Sequence, residues 1–198
     1  LLTTNKNLKI YRMDIGIDKL EMIHEDHHGH GKHKHKLFHD PHIWLSFDNM
    51  IIIANNTKKA LVELDPSNKV YYENNYESLI EEIIKIKNKA KDELKFKKDK
   101  SFLVFHPAWG YLAKEFSLNQ IAVEVEGKEP SPKEMKTIID TARSKGINVI
   151  FIQPQISTKT VDKLSKELNA TIIKINPLEY NWLKNMKYVL DNIAKGLK

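Results

Sequence analysis

An α/β fold, built as a four-stranded and mainly parallel sheet flanked by helices and preceded by a long connecting helix, is predicted from three observations. From Phe102 onward, short apolar runs alternate with amphipathic segments, the rhythm of strands that each return through a helix. Between Trp44 and Lys95 the apolar residues instead recur at helical spacing. The 198 residues, 41% of them hydrophobic, are enough for a packed domain of ordinary size.

Taken in chain order, Leu8-Lys9-Ile10-Tyr11 reads as a short strand with no partner nearby. Residues 44–63 read as a helix through Met50, Ile53, Ala54, Ala60 and Leu61, with His42 at its start. Asp65-Pro66 then supplies an N-cap and a first-turn proline for a second helix reaching about Lys95. Its stripe of Tyr72, Tyr76, Leu79, Ile80, Ile83, Ile84 and Ile86 is read as core. Residues 102–105, 121–123, 148–152 and 171–175 are the four expected strands, apolar enough to be buried on both faces. Between them, Ser131-Pro132-Lys133-Glu134 is a capping box that opens a helix buried through Met135, Ile138, Ile139 and Ala142 and stopped by Gly146. Further helices are expected over residues 157–169 and 179–197, the last with Trp182, Leu183, Met186, Val189, Leu190 and Ile193 on one face.

Composition removes several classes of function. Without cysteine there is no disulfide, thiolate metal site or thiol catalysis, so a metal must be held by His, Asp, Glu or carbonyls. Runs such as Met50-Ile51-Ile52-Ile53-Ala54 are far shorter than the roughly 18 to 20 apolar residues needed to cross a bilayer. The net charge of +6 comes from lysines interleaved with glutamates, as in Glu81-Glu82-Ile83-Ile84-Lys85, which reads as solvated helix surface and not as a nucleic-acid face. The chain opens on Leu1-Leu2-Thr3-Thr4 with neither initiator Met nor leader pattern and is read as a fragment or processed product.

Eight of the nine histidines crowd between positions 24 and 42: His24, His27, His28, His30, His33, His35, His39 and His42. The segment 21–36 is polar, carries Gly29 and Gly31, has no helical or strand periodicity, and reads as a loop able to take a divalent ion in several interchangeable arrangements. Lys32, Lys34 and Lys36 oppose this through like-charge repulsion. The ninth histidine, His106, follows an expected strand directly and precedes Pro107, read as a first-turn residue. In open parallel sheets, binding groups collect at such carboxyl ends.

Four motifs in order carry a family resemblance: His39-Asp40-Pro41-His42-Ile43-Trp44-Leu45-Ser46, Phe105-His106-Pro107-Ala108-Trp109-Gly110-Tyr111, Glu126-Gly127-Lys128-Glu129-Pro130-Ser131-Pro132, and Ile152-Gln153-Pro154-Gln155. Together they resemble the metal-specific solute-binding proteins of ABC importers, zinc branch, a family that includes adhesin-type lipoproteins. The histidine-rich run before Asp-Pro-His is typical of its zinc-handling members. The resemblance implies two α/β lobes joined by a long rigid helix, with one metal ion in the cleft between them. On that view residues 1–40 are the remnant of an amino-terminal lobe, including a last strand at residues 8–11, together with the His-rich loop. Residues 41–63 would form the connecting helix, and residues 64–198 the carboxy-terminal α/β lobe. The metal ligands carried over are His42 and His106, with His24, His27, His28, His30, His33, His35 and His39 as auxiliary groups. A histidine at 106, where manganese-type members tend to carry Glu, favours zinc. Asn181 stands where some members carry a carboxylate ligand.

The resemblance further implies a non-enzymatic receptor outside the cytoplasm, in the periplasm or at the cell surface, with or without a lipid anchor. It would capture Zn as a transported ligand and hand it to an ABC permease in the membrane. Surface meant for the other lobe could make a truncated chain self-associate. Two alternatives are open: a His-rich metal buffer or interaction protein, and a zinc-dependent hydrolase. The hydrolase is the weaker, since the spacing of His33, His35, His39, Asp40 and His42 lacks a His-Glu-x-x-His arrangement.

Overall fold

The structure, a computed structural model, describes residues 4–22, 38–124, 127–156 and 159–197. Two short strands, β1 (Glu21–Met22) and β2 (Phe38–His39), pair antiparallel, with Glu21 opposite His39. A helical hairpin follows: α1 (Phe47–Leu64), a 3-10 turn at Pro66–Asn68, and α2 (Lys69–Leu94) packed back along α1. Then come β3 (Ser101–Val104), α3 (Gly110–Glu115), β4 (Asn119–Ala122), α4 (Pro132–Ser144), β5 (Val149–Ile152), α5 (Lys159–Leu168), β6 (Thr171–Lys174) and α6 (Trp182–Gly196).

The last four strands form one all-parallel sheet in the order β4-β3-β5-β6. Alternate residues of each strand feed cores on opposite faces. Phe102, Val104 and Phe151 join α1, α2, α3 and α6 on one side, while Leu103, Phe105, Ile150 and Ile152 join α4 and α5 on the other. The chain adds β4 on one side of β3 and β5 on the other, so the strand order reverses between β3 and β5, and the crevice at their carboxyl ends is the place where an open α/β sheet offers a binding site. None of the described helices is long and apolar enough to cross a membrane.

Local chemistry explains the best-defined helix. Ser131 Oγ accepts from Glu134 N, Glu134 Oε2 accepts from Ser131 N, and Pro132 occupies the first turn where its missing N–H is no loss. At the other end Gly146 turns through φ +60, letting Ile147 N reach back to Ala142 O.

Four expectations need correction. Residues 8–11 are not a strand: with no strand to pair with among the described residues, they run as coil along α1, held by Tyr11 Oη donating to Glu63 Oε1 at 2.8 Å, and Ile10 stays 62% exposed. Helix α1 starts at Phe47 and not at 44, and His42 precedes it in a turn, because Ser46 is the N-cap. Pro107 opens no helix, since α3 begins at Gly110. Within the expected core stripe of α2, Ile83 is fully buried but Ile84 is 44% exposed, because α2 packs on α1 and α6 and Ile84 falls outside the side they cover.

Candidate metal centre

Asp-Pro-His is a local device before it is a site. Pro41 has no N–H to offer, so the Asp40 carboxylate turns the chain by accepting from the next available amide, His42 N, at 2.8 Å. The same oxygen, Oδ1, lies 2.7 Å from His42 Nδ1. Asp40 is almost fully buried and the His42 side chain largely so. A carboxylate placed there fixes the neutral imidazole as the Nδ1–H tautomer and leaves Nε2 with its lone pair free to coordinate.

His106 reaches the same state by another route. The parallel register of β3 and β4 pairs Val104 with Ala122 and is carried two residues further, with Val123 N donating to Val104 O and Glu124 N to Phe105 O. That places Glu124 beside His106, and its Oε2 lies 2.5 Å from His106 Nδ1. The two imidazoles therefore each rest on a carboxylate through Nδ1 and present Nε2.

The rings meet. Their centroids are 5.3 Å apart with the planes at 75°. Two imidazoles on one tetrahedral zinc, with Zn–N bonds of about 2.0–2.1 Å, have centroids about 5.2 Å apart. The observed spacing is thus that of a pair able to grip one ion. Trp44 stands beside His42 at 5.6 Å, its Nε1 donating to Pro177 O at 2.8 Å, while Trp182 Nε1 donates to Trp44 O at 2.8 Å. The loop between β6 and α6 thereby walls the site on one side.

On the other side the first turn of α3 reaches across. Tyr111 Oη donates to Asp40 O at 2.9 Å and accepts from Leu20 N at 3.1 Å. Burial raises the Tyr111 phenol above its ordinary value, keeping it protonated and able to donate.

Of the residues expected from sequence, His42 and His106 come together. His39 does not join them: it is exposed on β2 opposite Glu21. His24, His27, His28, His30, His33 and His35 lie outside the described residues. Asn181 is the N-cap of α6, its Oδ1 accepting from Lys184 N at 3.2 Å, so its side chain already has a structural task. Among the described residues no group of three or more His, Asp or Glu side chains is assembled to hold a metal alone. Sequence reasoning overlooked Glu124. The signal was a charge directly after an apolar strand, but only the register of β3 and β4 places that charge beside His106.

Comparison with known proteins places these features in a family context. Residues 1–196 match the family model described as zinc-uptake complex component A, periplasmic. The high-affinity zinc uptake system protein ZnuA of Bacillus subtilis is 33% identical over 168 residues, 83% of this chain and 53% of that protein. The zinc-binding protein AdcA of Streptococcus pyogenes serotype M3 is 30% identical over 164 residues, 82% of this chain and 32% of that protein. A crystal structure of ZnuA superposes with a TM-score of 0.88 at 35% identity, covering all of this chain and 74% of that one. A ZnuA deletion mutant with zinc bound gives 0.85 at 34%, covering 98% and 71%. The chain thus spans about a third to a half of the curated relatives it matches.

Proposed function

The chain belongs to the zinc-uptake complex component A family, and from that premise we propose that it is the metal-gripping part of an extracytoplasmic zinc receptor serving an ABC permease. Zn(II) is the cargo, His42 and His106 are its ligands from this chain, and the ion completes its tetrahedron with groups supplied across a cleft or with water. The observation that carries this reading is the pair of carboxylate-backed imidazoles with centroids 5.3 Å apart. Nitrogen donors favour zinc over the hard cations, and a neutral imidazole whose far nitrogen donates to a carboxylate is a more basic ligand than a free one. Residues 64–198 act as the carboxy-terminal lobe, α1 as the connection limiting closure, and residues 24–35 as an auxiliary collector.

Binding and release are the whole of the chemistry in this reading; no catalytic group is needed. The hydrolase alternative required His39, Asp40 and His42 to converge, and it is disfavoured by His39 lying exposed on β2 while Asp40 is engaged by His42 Nδ1. The buffer alternative assigns all metal binding to the histidines at 24, 27, 28, 30, 33 and 35.

Calorimetric zinc titration separates the two. The chain, a His42→Ala/His106→Ala variant and a variant with the six loop histidines changed to Asn are compared at neutral pH. The receptor reading expects a stoichiometric tight component in the chain and in the loop variant, and its loss in the double variant. Identical curves for the chain and the double variant would sink it.

A further inference from the structure

His42 and His106 sit on segments far apart in sequence, and they can offer a metal a fixed pair of nitrogens only if those segments keep one relative position. His42 belongs to the piece anchored by the β1–β2 pair, where Asp40 N also donates to Leu20 O at 2.8 Å. His106 belongs to the sheet and is tied to the start of α3, with Ala108 N donating to His106 O at 2.9 Å and Trp109 N to Gln120 Oε1 at 2.8 Å. The first turn of α3 bridges the two pieces. Tyr111 Oη closes on both ends of the hairpin at once, donating to Asp40 O and accepting from Leu20 N. Gly110 lies so close that a Cβ built on it would stand 2.9 Å from Asp40 Oδ2 and 3.6 Å from Leu20 Cδ1. The helix backbone is therefore seated directly on the carboxylate whose other oxygen holds His42.

We infer that Gly110 and Tyr111 are positioning residues of the metal centre: together they fix Asp40, and through it the His42 imidazole, at coordinating distance from His106. This rests on His42 and His106 being the zinc ligands. Glycine has no other evident reason to open α3. Helix propensity alone favours Ala over Gly there, but its Cβ would meet Asp40 Oδ2 at 2.9 Å. The positioning role expects it to displace the Asp40 carboxylate and misalign His42.

The test uses the full chain, with zinc affinity read by competition against a fluorescent chelator and the zinc-free Tm measured for each variant. Gly110→Ala and Tyr111→Phe are compared with Tyr72→Phe, which removes a similar phenol bond, to Asp65 at 2.9 Å, from the helical hairpin. The first two are expected to weaken the tight component roughly tenfold, the size of effect typical for groups that orient a ligand, and the third to leave it unchanged. The zinc-free Tm serves to show that each variant is folded at the temperature of the titration. The inference is overturned if Gly110→Ala or Tyr111→Phe, folded, stays within twofold of the parent, or if Tyr72→Phe weakens binding equally. Should His42→Ala/His106→Ala leave the tight component intact, the zinc reading itself fails. That result is distinct from one in which the double variant loses it and the positioning variants do not.

Discussion

In the proposed receptor, Asp40 and Glu124 would act on the metal without touching it. Each accepts from the Nδ1–H of one imidazole, at 2.7 and 2.5 Å, and so selects the tautomer whose Nε2 can coordinate. Asp40→Asn preserves size and the oxygen that turns the chain at His42, but removes the negative charge that makes the ring a stronger donor. Glu124→Gln does the same for His106. Each is expected to weaken zinc about 10- to 100-fold with little change in far-UV circular dichroism; affinities within twofold of the parent would remove these carboxylates from the metal's account. Asp40 was not assigned from the sequence either, although the signal was there: Asp-Pro-His is contiguous and its turn chemistry is local. Glu124 could not be, because its nearness to His106 exists only once β3 and β4 have paired in register, and nothing within 18 residues of chain announces that pairing.

The start of α1 depends on a residue of α3. Glu115 Oε2 accepts from Phe47 N and from Ser46 Oγ, both at 2.8 Å, satisfying one amide that a helix leaves open in its first turn and fixing the hydroxyl of the N-cap. Its other oxygen lies 2.9 Å from Lys87 Nζ of α2, an ammonium that also bonds Asp48. Burial works to lower Lys87, but these bonds outweigh it and leave the group above its ordinary value. One nearly buried carboxylate thus ties α1, α2 and α3 together. Glu115→Ala, which leaves the Lys87 ammonium without its buried partner and uncaps α1, is expected to cost about 3 kcal/mol in urea unfolding. Ser131→Ala, at the exposed cap of α4, is expected to cost about 1 kcal/mol by the same measurement. Equal costs would mean that Glu115 serves as a local cap only. This contrast also explains what could be read beforehand. Helix α4 was legible end to end because Ser131, Pro132, Glu134 and Gly146 all lie within it or beside it. The beginning of α1 was misplaced by three residues because half of its cap comes from 68 positions downstream. Residues 8–11 carried a strand-like composition, yet pairing is a property of two segments, and no second one is present beside them among the described residues.

At the scale of the molecule, the imidazole pair is held between the Tyr111 bridge on one side and the Trp44–Trp182 contacts on the other. In the proposed receptor zinc binds the folded chain, which brings His42 and His106 together, and not the unfolded one, in which they are 64 residues apart. By linkage, free zinc at a hundred times Kd stabilises a fold that alone binds it by about 2.7 kcal/mol. For a chain of 198 residues that corresponds to a rise in Tm of about 5 to 11 °C. The rise is expected in a thermal melt of the chain, to vanish on adding a chelator, and to be absent in His42→Ala/His106→Ala. It should survive replacement of the six histidines between 24 and 35 by Asn, because binding that orders only a loop does not protect the sheet whose unfolding the melt records. A double variant that still gains the full rise would move the stabilising site away from the β3 crevice, and the fold would then be a scaffold for metal held elsewhere.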